Sequence, residues 1–169
     1  MGKTEGKPLQ IKHLKGLNGE ETEECRKILK IFGSSGADAD ENTELGPTRV
    51  SFADCPLSDE WRKKAQEKRL SLTEVKSENS INRIKGTAEN PRFTERVPEG
   101  TKFDFTVCLK LLGDKEECLF KYLLEGLRLL EMDALGGSGS RGYGRIKFEF
   151  EDDGIKKQFE EIKPFENGG

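Results

Sequence analysis

The sequence predicts an α+β domain, and three stretches of its 169 residues carry that expectation. In "KEECLFKYLLEGLRLLEM", residues 115–132, Phe120, Leu123, Leu124, Leu127 and Leu130 fall on one stripe at helical spacing. In "TKFDFTVCLKLLG", Phe103, Phe105, Val107 and Leu109 alternate as the residues of a half-buried strand do. In "GYGRIKFEFE", Ile146, Phe148 and Phe150 repeat that alternation straight after a glycine-rich loop. Helix, glycine loop and strand thus follow one another near the C-terminal end.

The other elements are weaker. Residues 1–22 are polar and glycine-studded, with no sustained period, and read as an arm. "EECRKILKIFGSSG" places Cys25, Ile28, Leu29 and Phe32 at helical spacing and stops at Gly33, a suitable C-cap. After an acidic connection, "PTRVSFADC" puts Val50 and Phe52 on one face of a strand. Residues 57–70 offer Ser58 as a helix cap with acids in the first turn, and Trp61 and Leu70 as the large apolar anchors. Residues 72–100 show no strong period, and the tail at 151–169 is charged and weakly patterned. The division is therefore a polar arm at 1–22, a domain at 23–150 with an insertion at about 72–100, and a charged tail. The order of elements is that of a ferredoxin-like βαββαβ domain without its opening strand and part of its first helix, which would leave an interior strand edge unpaired.

Composition narrows the function. Only 33% of residues are hydrophobic and 36% are charged, so the core is thin and long stretches run outside or are ordered by a partner. A net charge of -3 supplies no global field for nucleic acid, so any such site is a local basic patch. Cys25, Cys55, Cys108 and Cys118 form no CxxC pair and no long apolar run occurs, which fits a reducing, cytoplasmic setting. Cys108 and Cys118 are expected to pack as small apolar residues. His13 is the single histidine, so neither a His-paired nucleophile nor a multi-histidine metal site can be built, and it reads as an exposed loop residue. Asp38, Asp40, Glu41 and Glu44 are acids in a turn, to which no metal is assigned.

Residues 137–142, "GSGSRG", match GxGxxG, yet the context is wrong for a dinucleotide. In such sites a strand leads in and a helix follows, so that phosphate meets the positive helix N-terminus. Here the helix leads in, and its negative end lies nearest the loop. Arg141 and Arg145, with backbone N–H groups in a nest, could still cradle an anion; the other open reading is a plain helix-to-strand connection. In the insertion, Lys76, Arg83, Lys85, Arg92 and Arg96 could follow a phosphate backbone while Ile84 and Phe93 meet bases. Alternatively they pair with the interleaved glutamates on a solvated loop.

"LTEVKSENSINRIKGTAENPRFTERVPEGTKFDFTV", followed by "GLRLLEMDALGGSGSRGYGRIKFEF", resembles the repeated backbone subunit of type III-A CRISPR effector complexes, the Csm-type member of the RAMP superfamily. "ILKIFGSSG" and "GPTRVSFADC" resemble its upstream segments, so the similarity covers about residues 24–150. It implies a ferredoxin-like, RRM-type RAMP domain that stacks with copies of itself into a filament along CRISPR RNA. The insertion would be a thumb-like hairpin that reaches a neighbouring subunit and wedges into the guide–target duplex, and the glycine loop would lie against the guide.

Matched by position, Lys76, Asn79, Asn82, Arg83, Lys85, Arg92 and Arg96 become candidates for thumb structure or RNA contact, with Arg96 equally readable as an ion-pair residue. Gly136, Gly137, Ser138, Gly139, Ser140, Arg141, Gly142 and Gly144 match the loop. The resemblance implies CRISPR RNA, target RNA and other effector subunits as partners, with no membrane. The family's opening strand, its aspartate-bearing cleavage loop and its glycine-serine-lysine segment have no match before "GKTEGKPLQ". The chain thus reads as lacking the N-terminal segment. No residue is assigned a catalytic role, although a divalent metal is expected for RNA cleavage in the family. Two alternatives from other classes are a stand-alone CRISPR RNA-processing endoribonuclease and a non-enzymatic protein-interaction adaptor.

Overall fold

The computed structural model describes residue 4 and residues 7–34 and 45–165, which divide into two compact units, 1–52 with 107–169 and 53–106. The acids at positions 38, 40, 41 and 44 lie outside the described residues. The first unit contains α1 (Gly19–Phe32), the paired strands β1 (Val50–Phe52) and β4 (Val107–Leu109), α3 (Leu119–Met132) and α4 (Asp153–Glu161). The second contains α2 (Asp59–Lys68) and the hairpin of β2 (Glu74–Asn82) and β3 (Thr87–Arg96). The mixed helix and strand content makes this an α+β protein.

α1 starts earlier than its apolar spacing predicts, because Asn18 and Glu21 form a capping box. The Glu21 N–H donates to Asn18 Oδ1 at 2.8 Å, and the Asn18 N–H donates to Glu21 Oε2 at 3.2 Å. It ends at Gly33 as expected, the Gly33 N–H donating to the Leu29 carbonyl at 2.8 Å. Its buried residues are Leu29 and Ile31, whereas Ile28 and Phe32, expected on the core stripe, are exposed. Between α1 and α3, Lys27 donates to Tyr122 Oη at 3.1 Å, and Tyr122 donates to Glu24. The hydrogen bond from Lys27 holds Glu24 below the usual carboxylate range.

β1 and β4 run antiparallel with Val50 opposite Leu109 and Phe52 opposite Val107. A buried ion pair secures this region. Arg49 donates bidentately to Glu116, at 3.0 Å from Nε and 2.7 Å from Nη2, and the Leu112 N–H adds a third bond at 2.9 Å. The Arg49 hydrogen bonds, then that amide, pull Glu116 down to about 2. The Arg49 and Glu116 side chains are 7% and 11% exposed; Lys30 Nζ lies 3.6 Å from the same carboxylate, and Arg49 Nη1 also donates to the Leu45 and Pro47 carbonyls, so losing either partner leaves the other buried with fewer bonds.

α3 buries Leu119, Leu123, Leu124 and Leu127, the stripe the sequence predicts, with Phe120 and Leu130 partly buried. The tail is more structured than its pattern suggests: Asp152 Oδ1 caps α4 by accepting from the Ile155 N–H at 2.8 Å, and Phe159 is buried against Leu124 and Leu127. The Phe159 ring lies 4.8 Å from that of Phe150 and 6.1 Å from that of Phe148.

Residues 145–150 are not a strand, contrary to expectation. Their alternation is kept, with Ile146, Phe148 and Phe150 half-buried and Arg145, Lys147 and Glu149 exposed, but no ladder forms beside them among the described residues. Alternation reports which face is covered; a strand also needs a neighbour along its edge. The Phe148 N–H donates instead to Glu131 Oε1 at 3.0 Å.

In the second unit, Ala53 donates to Thr106 at 3.1 Å, Asp104 to Pro56 at 2.8 Å, and Leu57 bridges Phe103. The predicted strand over 103–109 is therefore regular only at Val107–Leu109, and Phe103 and Phe105 are exposed. Ser58 caps α2 as expected, its Oγ accepting from the Trp61 N–H at 3.3 Å. Trp61 and Ala65 are buried, but Leu70 is not, because the helix has already ended in a left-handed turn at Arg69. No helix among the described residues is long and apolar enough to cross a membrane.

Candidate nucleic-acid interface

The stretch at 72–100, patternless in the sequence, contains the longest regular ladder among the described residues. Glu74 to Glu78 pair with Arg96 to Arg92, and Ser80 to Asn82 pair with Glu89 to Thr87. Between these blocks Asn90 and Pro91 stand opposite the single Asn79. This is a bulge that absorbs the missing proline N–H, with Asn90 at φ 53°.

The two faces differ in chemistry. One presents Val75, Ser77, Asn79, Ile81 and Phe93, all exposed, Phe93 to 72%. The other is half-buried and charged: Arg96 Nε meets Glu74 Oε1 at 2.5 Å, and Lys76 Nζ lies 3.7 Å from Glu78 Oε1. Arg96 is thus engaged in an ion pair. At the tip, Asn82 Oδ1 accepts from the Ile84 N–H at 3.0 Å and the Lys85 N–H at 3.1 Å, and Asn82 Nδ2 donates to Glu89 at 3.1 Å. This Asx turn holds Ile84 at 98% exposure between Arg83 and Lys85.

The glycine loop belongs to the first unit. α3 ends at Met132, and residues 139–141 form a single 3₁₀ turn with Arg141 and Gly142 donating to Ser138 and Gly139, each at 2.9 Å. Ser138 and Gly142 are left-handed, at φ 61° and 80°. The Leu135 N–H donates to the Gly144 carbonyl at 2.8 Å and closes the loop. A Cβ on Gly144 would stand 2.1 Å from the Leu135 carbonyl oxygen, so only glycine allows that closure. Gly136, Gly137, Ser138, Gly139, Ser140, Arg141 and Gly142 are all exposed, and Tyr143 is buried beneath them. With the acidic Asp133 capping α3, the positive charge near the loop comes from Arg141, Arg145 and Lys147.

His13 is not a free loop residue: it lies in a short 3₁₀ turn, where its Nδ1 accepts from the Gln10 N–H at 3.0 Å. Cys108 and Cys118 are exposed rather than packed. Cys108 lies on the outer face of the short ladder with Ser51, and Cys118 lies at the start of α3. Among the described residues no three His, Cys, Asp or Glu side chains converge to hold a metal ion. The described residues thus offer no ligand set for the divalent metal expected for cleavage in the family. The Arg49–Glu116 pair had no visible signal, since the partners are 67 residues apart.

The fold and these surfaces define an α+β protein with a charged, apolar-tipped β-ribbon and a glycine loop flanked by basic residues. The RAMP superfamily model matches residues 10–147, and the chain belongs to that superfamily. The chain is similar to the protein named CRISPR system Cms endoribonuclease Csm3 from several organisms. It is 43% identical to that of Methanocaldococcus jannaschii over 127 residues, 74% of this chain and 48% of the relative. It is 39% identical over 139 residues to that of Methanothermobacter thermautotrophicus, covering 73% of this chain and 54% of the relative. With the Streptococcus thermophilus protein, identity is 42% over 125 residues, covering 72% and 54%. The chain spans about half the length of these curated relatives.

Proposed function

We propose that this chain acts in a CRISPR RNA-binding backbone subunit of a type III-A interference complex, stacking with copies of itself and organising the guide–target duplex. The observation that carries the reading is the hairpin tip, where an apolar side chain at 98% exposure stands between two cations on a backbone turn bonded to Asn82. Apolar side chains offered to nucleic acid this way act as wedges between base steps, while flanking cations meet phosphates. In this reading the hairpin is the thumb of a ferredoxin-like domain, with Ile84 as its wedge. Arg83, Lys85 and Arg92 are its phosphate contacts, and Lys76, Asn82 and Arg96 keep the ribbon in register.

The exposed row of Val75, Ile81 and Phe93 supports a neighbouring subunit as the thumb's seat, because an isolated two-stranded ribbon is marginal in water. Residues 136–142 would run along the guide strand, with backbone N–H groups and Arg141 on its phosphates and no base preference. Sequence would then be read by base pairing. The relatives are named endoribonucleases; cleavage is assigned here to no residue of this chain.

The tip is tested with duplex RNA carrying 2-aminopurine, whose fluorescence rises on unstacking. Binding of the chain raises the signal, and Ile84→Ala binds but does not. A wild-type protein that binds without unstacking any position overturns the wedge.

A further inference from the structure

We infer that the C-terminal half of α2, through Lys63, Lys64, Lys68 and Arg69, is a second phosphate-contacting surface for single-stranded RNA, at the root of the hairpin. From residue 62 to residue 69 there are five cations and one acid. Arg62 is engaged by Asp59 at 3.1 Å and by the Leu57 carbonyl at 3.2 Å. The other four cations are exposed and have no ion-pair partner among the described residues. Lys64 and Lys68 stand four residues apart on one flank, a like-charge spacing that weakens a helix, with Glu60 one turn before Lys64.

The backbone gives a second, independent sign. Arg69 is one of three non-glycine residues with positive φ among the described residues, at φ 51° and ψ 41°. The Leu70 N–H reaches back to the Ala65 carbonyl at 2.9 Å, and the Arg69 N–H donates to Gln66 at 3.3 Å, so Arg69 occupies the left-handed position of a Schellman turn. Glycine takes that position without strain, and the helix dipole favours any nearby cation only within its last turn, where Lys68 already stands. A strained, solvent-exposed arginine where glycine would serve the backbone better is a mark of function. Chain connectivity limits the location: four residues lie between Arg69 and Glu74, and the five steps along the chain span at most about 18 Å. Cations on α2 therefore lie within a few nucleotides of the base of β2.

This inference rests on the RNA-binding reading above, and the experiment separates the two. Binding of a mixed-sequence single-stranded RNA oligonucleotide to the full chain is titrated over a range of salt for wild type, Arg69→Gly, a Lys63→Gln/Lys64→Gln/Lys68→Gln variant and Arg141→Ala. Each single-strand phosphate contact contributes about 0.7 to the slope of log affinity against log salt, or about fivefold near 0.1 M. Arg69→Gly should bind about fivefold more weakly even though it relieves strain, a combination that a purely structural arginine cannot produce. The triple variant should lose about 100-fold, with a slope shallower by about 2. Weaker binding by Arg141→Ala, with both α2 variants at wild-type affinity and slope, overturns the α2 surface alone. A wild-type chain with no salt-dependent binding overturns both readings.

Discussion

Glu116 accepts two hydrogen bonds from Arg49 and one from the Leu112 amide, and it is the acid paired with that arginine among the described residues. Removing the carboxylate leaves a buried guanidinium without its counter-ion and with only the Leu45 and Pro47 carbonyls as acceptors, so Glu116→Ala should destabilise the first unit by about 3 kcal/mol in urea denaturation. The same contacts set a pH dependence. Its folded-state value is about 2 against 4.5 in the open chain, so the stabilisation is fully present above 4.5 and is lost as pH falls towards 2. Acid titration of the melting temperature should show that loss in the wild type and a shallower one in Glu116→Gln. At Arg69 the expectation has the opposite sign. Arg69→Gly should raise the urea midpoint by about 1 kcal/mol of stability, since it removes left-handed strain. A midpoint that falls would show that the arginine holds the helix end by contacts that the turn does not explain.

At the scale of elements, the glycine loop and the hairpin make contrasting predictions. Gly144→Ala places a methyl group into the Leu135 carbonyl, so the loop cannot close; about 1–3 kcal/mol of stability and the loop's RNA contacts should be lost together. Phe93→Ser removes a side chain that touches little of its own chain, so stability should stay within about 0.5 kcal/mol while self-association on RNA, read by sedimentation, declines.

The same contrast explains what was legible in the sequence. The α3 stripe was readable because Leu123, Leu124 and Leu127 are buried by this chain alone. The hairpin was not readable from its residues, because its apolar row faces solvent and its charged face is half-covered, so no single face repeats. Resemblance supplied the expectation of a hairpin there. The start of α1 was missed because Gly19 reads as a breaker, although Asn18 and Glu21 carry the capping box. At 145–150 the alternation was real, but periodicity cannot say whether a neighbouring strand is present. The loop's glycines were legible as a candidate site only with their flanks; their left-handed positions and the closure at Leu135 arise only in the folded chain.

Across the whole molecule, the small set of buried side chains and the many exposed ones, Phe52, Ile84, Phe93, Leu112 and Met132 among them, leave apolar surface that the proposed RNA and subunit partners would cover. RNA should then act as a stabilising ligand, adding about 2.7 kcal/mol at a hundredfold excess over its Kd, visible as a concentration-dependent rise in melting temperature. The proposed function assigns both exposed surfaces to sequence-independent recognition of RNA. The most direct test is the affinity of the full chain for several single-stranded RNAs of unrelated sequence, measured against salt. The account predicts equal affinities and a steep negative slope that becomes shallower in Arg141→Ala. A slope near zero, or binding confined to one sequence, would contradict it.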